Sequence, residues 1–139
     1  MTAVISANFA LQVSGAVSVA FGSTNLITWF SAAESEKGIR LATQEGKKLA
    51  VITEPTAKNA YITANAEKAV FLWEQTNPAT NSVKIAYQVV NSTNVQTQWM
   101  DQNNVGNATA LVVGNELLIA YEQRQEGQPN TLKINKINL

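Results

Sequence analysis

The sequence predicts an all-β chain made of three copies of one four-stranded unit. Three observations carry this. Small, apolar segments begin at Ala16 (AVSVAF), Ala60 (AYITAN) and Ala108 (ATALVV). Thirteen positions on, each reaches an aromatic, Trp29, Trp73 or Tyr121. Further on, each sets a basic residue between aliphatics: Ile39-Arg40-Leu41, Val83-Lys84-Ile85 and Leu132-Lys133-Ile134. A shared period of this kind is the signature of a repeat architecture.

The elements follow in order. Thr2 to Val13 is rich in Val, Ile, Phe and Thr and reads as a strand, broken by Gly15. Ala16–Phe21 is the first strand of copy one, and Gly22 to Asn25 a turn. Leu26–Phe30 is a nearly continuous apolar run, the pattern of a strand covered on both faces. Ser31 to Gly38 is a polar loop, too short for a stable helix. Ile39–Thr43 and Leu49–Thr53 complete the unit, and Glu54-Pro55 ends it. Copy two gives strands at Ala60–Ala64, Val70–Glu74, Val83–Val90 and Val95–Trp99, with a loop at Gln75 to Ser82 around Asn77-Pro78. Asp101 to Asn107 reads as a polar linker. Copy three gives Thr109–Val113, Leu117–Tyr121 and Leu132–Ile137, with a loop at Glu122 to Asn130. The repeats are thus about 16–59, 60–107 and 108–139 in a single domain.

Copy three lacks a fourth strand, whereas the segment 2–13 has no place in copy one. Ala3-Val4-Ile5-Ser6 parallels Ala50-Val51-Ile52-Thr53, the fourth strand of copy one. The leading strand is therefore expected to complete the trailing unit, because open sheet edges invite aggregation and ring closure removes them. Two architectures fit three such units best. A β-trefoil closes within one chain as a monomer. A β-propeller takes roughly four to eight blades, so three blades would be half of a six-bladed ring completed by dimerisation. A sandwich is a third, less fitting arrangement. The small first strand suits a crowded axis and the apolar second strand suits the space between blades, which favours the propeller.

Composition bounds the function. The 139 residues are 45 % apolar but only 14 % charged, with net charge zero. No basic excess exists to hold a phosphate backbone, so nucleic acid is not the expected partner. Cysteine and histidine are both absent. That removes thiolate chemistry, the usual general base and the usual zinc ligand. Asp101 is the sole aspartate, which argues against Asp-rich metal loops. No nucleophile, phosphate-binding or metalloprotease motif occurs. A non-catalytic protein without cofactor is expected. Neither a signal-type leader nor an apolar run of about eighteen residues is visible, so membrane insertion is not expected.

The polar surface is built from Asn, Gln, Thr and Ser, which suits a neutral ligand. Trp29, Trp73 and Tyr121 are equivalent, and each could be either a stacking platform for a sugar face or a packing residue between units. Glu74-Gln75 and Glu122-Gln123 follow the aromatic in copies two and three, where copy one has Phe30. Those carboxylates and amides could accept or donate to hydroxyls, with Arg40, Lys84 and Lys133 as charge partners; the alternative is ordinary solvated pairs. Trp99, in Gln96-Thr97-Gln98-Trp99, stands outside the repeat and looks like the Gln-x-Trp of trefoil lectins.

The pattern of a small strand, a turn, an aliphatic run ending in Trp or Tyr, a polar loop and an aliphatic-basic-aliphatic triplet resembles blades of sialidase-like propellers and propeller lectins. The Asp-box of sialidase repeats is missing from all three copies. Fucose-binding propeller lectins, which assemble rings from short multi-blade chains, hold sugar with an Arg, a Glu and a Trp. The resemblance implies repeated neutral-glycan sites between blades, drawn from Trp29, Arg40, Trp73, Glu74, Gln75, Lys84, Trp99, Tyr121, Glu122 and Gln123, in a homodimer. A structural scaffold that binds a protein partner, or a propeller fragment without a ligand of its own, is the alternative.

Overall fold

Three separate antiparallel sheets follow one another along the chain, each made of consecutive strands. The computed structural model describes residues 13–34, 37–90 and 96–139. The first sheet is β1 (Val13–Phe21), β2 (Thr24–Ser31), β3 (Gly38–Thr43) and β4 (Lys48–Ile52), in that order. The second is β5 (Lys58–Ala64), β6 (Ala69–Asn77), β7 (Ser82–Val90) and β8 (Gln98–Trp99). The third is β9 (Val105–Val113), β10 (Glu116–Gln123) and β11 (Thr131–Asn138). There is no α-helix among the described residues. The strand expected at 2–13, Val13 apart, and its pairing with the last unit lie outside the described residues, as does the start of the strand expected at Val95.

One local device recurs in every sheet. The first strand slips register near its start, opposite the end of the second strand: between Ser14 and Val17, between Lys58 and Tyr61, and in β9 opposite Ala120 to Glu122. At each slip stands a residue with positive φ: Gly15 at 61°, Asn59 at 53° and Asn107 at 50°. Such bulges need a residue in the left-handed region, which Gly enters freely and Asn with little cost. Each of the three immediately precedes the repeated alanine. Gly106-Asn107 is therefore not the end of a linker, as the sequence predicts. It is a bulge inside β9, and its turn-like composition serves that kink.

Alternation along the strands divides the core in two. On β6, Ala69, Phe71 and Trp73 pack with Leu26, Ile39 and Leu41 of the first sheet. Val70 and Leu72 pack with Val112, Leu117, Ile119 and Tyr121 of the third. Successive side chains point to opposite faces, so β6, buried at every position from Ala69 to Glu74, is the wall shared by both cores. The continuous apolar run means what the sequence reading says for this strand. On β2 it holds on one face only: Leu26 and Thr28 are buried, Ile27 and Trp29 half-buried. The first strands also meet, β5 lying against both β1 and β9.

The alignment of the basic residues needs correction. Arg40 sits opposite Trp29, and Lys133 opposite Tyr121. Lys84, however, sits opposite Gln75, and it is Ala86 that faces Trp73. The loop expected at Gln75 to Ser82 is shorter than predicted, because β6 runs on to Asn77. The reversal is made by Pro78 to Asn81, with Asn81 at φ 54° and its N–H donating to the Asn77 carbonyl at 2.8 Å. The extra strand length shifts the pairing by two residues.

Candidate functional site

The most constructed polar cluster joins the second and third sheets. Glu74 follows Trp73, so its side chain takes the opposite face, toward the third sheet. It is 1 % exposed. Its Oε2 accepts a hydrogen bond from Asn59 Nδ2 at 2.7 Å and another from the Asn107 backbone N–H at 2.9 Å. Both donors are bulge residues, so the same kink that bends each first strand also turns a donor toward one carboxylate. Arg124 Nη1 lies 3.9 Å from Oε1, the carboxylate oxygen without a hydrogen-bond partner. Arg124 is anchored by its own N–H, which donates to the Asn104 carbonyl at 2.8 Å.

Gly106 makes this reach possible. A Cβ at that position would collide with the guanidinium of Arg124. The arginine therefore lies across bare backbone to approach the buried acid. A buried carboxylate is tolerable only when hydrogen-bonded and paired. We expect Gly106→Ala to displace Arg124 rather than strain β9, since φ at 106 is not positive. The expected cost is about 1–3 kcal/mol in urea unfolding. Arg124→Ala should add little on top of it, because both changes remove one interaction.

Other residues singled out in the sequence fall into two groups. Trp73 and Tyr121 are packed inside the two cores, 1 % and 3 % exposed, and present no open ring face. Trp73 lies tilted against Phe71 at 5.0 Å, and its Nε1–H donates to Gln75 Oε1 at 2.8 Å. The apolar run that ends in each aromatic is what draws it inside. Glu74, as above, is enclosed too. The remaining residues reach the surface. Trp29 and Arg40 are half-buried cross-strand neighbours on the first sheet, on the side away from Leu26 and Leu41. Trp99 is half-buried beside Ala86. Lys84 Nζ donates to the Asp101 carbonyl at 3.1 Å. Gln123 Nε2 donates to the Asn103 carbonyl at 2.7 Å, and Glu122 Oε2 accepts from Asn130 Nδ2 at 3.1 Å.

These contacts make a rim of neutral amides at one end of the second and third sheets, around the connection 101–104. Ser82 Oγ donates to Asn103 Oδ1 at 2.8 Å and extends the rim. Such groups donate and accept at once, which suits uncharged polyhydroxyl ligands. Burial, and then the Asp101 charge, raise the Tyr87 phenol above its ordinary value. The resulting contribution to stability is complete below the unfolded phenol's pKa and is lost as pH rises through the raised folded value. No group of three or more potential metal ligands occurs among the described residues.

The sequence reading missed Asn59, Asn107, Gly106 and Arg124. A signal was present for two of them: Asn59 and Asn107 share the place of Gly15 ahead of each repeated alanine. Set beside protein-family models, curated proteins and solved structures, the chain matches none.

Proposed function

We propose that this chain is a non-catalytic carbohydrate-binding protein, three blades of a six-bladed β-propeller whose ring is completed by a second copy. The observation that carries the binding reading is the amide rim around 101–104, where Ser82 and Gln123 meet Asn103. Hydroxyls and amides that both donate and accept suit the hydroxyls of an uncharged sugar, and the rim lies between the second and third sheets, clear of the faces a second copy would cover. Three sheets with no ladder joining one to the next among the described residues favour stacked blades over a trefoil, whose copies share a hydrogen-bonded barrel.

A glycan array probed with the wild-type chain tests this. We expect neutral glycans to be retained, and Gln123→Ala to weaken binding about tenfold, the scale of one lost hydrogen bond. An array without signal, from a sample whose oligomer is intact, contradicts the reading. It would move the assignment to a scaffold that binds a protein partner.

A further inference from the structure

The large hydrophobic residues left exposed among the described residues are Val51, Leu111, Val113, Leu132 and Ile134. They are not scattered. Glu116, Leu118, Ala120 and Glu122 alternate with the core-facing Leu117, Ile119 and Tyr121, so they point away from the second sheet. Their cross-strand neighbours are Val113, Leu111, Ile134 and Leu132. Four of the five exposed residues thus cover the outer face of the third sheet. The fifth, Val51, is the cross-strand neighbour of Arg40, on the outer face of the first sheet.

The two internal junctions define what each face meets. The Trp73 face of the second sheet packs on the first sheet, and the Tyr121 face of the third packs on the second. The contact is head-to-tail each time. The Leu118 face of the third sheet repeats the Leu72 face of the second, and the Trp29 face of the first repeats the Trp73 face. The two outer faces are therefore the two halves of the same junction.

We infer that a second copy of this chain covers the third sheet's outer face with its first sheet, and receives the same contact in return. This inference rests on the ring reading above. The contact is heterologous, and two of them related by a twofold close a ring rather than a filament. Glu122 occupies the position of Glu74, and Gly15 of the second copy occupies that of Asn107. The Glu122 carboxylate then accepts the Gly15 backbone N–H as Glu74 accepts that of Asn107. Exposed apolar side chains gathered on one face mark an association surface.

The test uses the full chain, which contains no cysteine. Val51→Cys and Ile134→Cys chains are prepared separately and treated with a flexible thiol-to-thiol cross-linker, alone and mixed. Cross-linked product should form in the mixture and not in either variant alone. In light scattering, Ile134→Asp should weaken the dimer about a hundredfold or more, with the monomer's thermal melt little changed, because Ile134 is 72 % exposed in the single chain. Like-to-like cross-linking, or a dimer that survives Ile134→Asp, overturns this interface while leaving glycan binding to the array. A wild-type mass of one chain overturns both the interface and the ring.

Discussion

Trp73→Ala is expected to destabilise the chain by about 3–5 kcal/mol, the usual range for truncating a buried Trp. That is a large share of the roughly 5–15 kcal/mol by which a domain is stable, so the variant should unfold at much lower urea, or not fold at all. The cause is location. Trp73 is the largest fully buried side chain, on the strand that both cores share. Its loss opens a cavity beside Phe71 and leaves the Gln75 amide oxygen without its indole donor. Trp73→Phe should recover most of the loss. Trp29→Ala is the internal control. At the repeat-equivalent position, but half-buried on an outer face, it should cost about 1 kcal/mol or less in the monomeric Ile134→Asp background, since less area returns to water. Equal effects at 29 and 73 would contradict the division between an enclosed middle sheet and open end faces.

Glu74→Leu is expected to cost about 2–4 kcal/mol, the scale for leaving two buried donors unsatisfied. The apolar side chain fits among Val70, Leu72 and Ile85, yet it strands the Asn59 amide and the Asn107 N–H in a dry junction. Glu74→Gln should cost less, about 1–2 kcal/mol, because its amide oxygen can still accept one or both bonds while the attraction to Arg124 is lost. Equilibrium urea unfolding checks the order. If Glu74→Leu proved neutral, the Glu74 cluster would contribute nothing to the joining of the second and third sheets.

Much of the strand content was legible because it depends on local pattern. Runs such as Val70 to Trp73 and Val83 to Val90 are bounded by Gly, Asn or Pro, and the strands fall on them. The three-copy period was legible in the small residues and the aromatics, since both answer to packing between sheets. Register was not. Sequence distance aligns Lys84 with Arg40, but the tight reversal at Pro78 to Asn81 puts Ala86 in that place. The site was legible as a set of residue types more than as an arrangement. Residue type offers Glu74 as a ligand-facing acid or half of a solvated pair, but its partners are two bulge residues, Asn59 and Asn107, and Arg124 just past the end of β10. Alternation alone hides whether a face looks to water or to another sheet; the neighbouring sheet decides it. That is why Trp29 and Trp73, alike in sequence, differ in burial.

The mass of the wild-type chain in solution, taken by light scattering over a range of concentrations, tests the central claim most directly. The proposed six-bladed ring predicts about two chains of 15.0 kDa per particle. A particle of one chain at every concentration, its apolar end faces left in water, would contradict it.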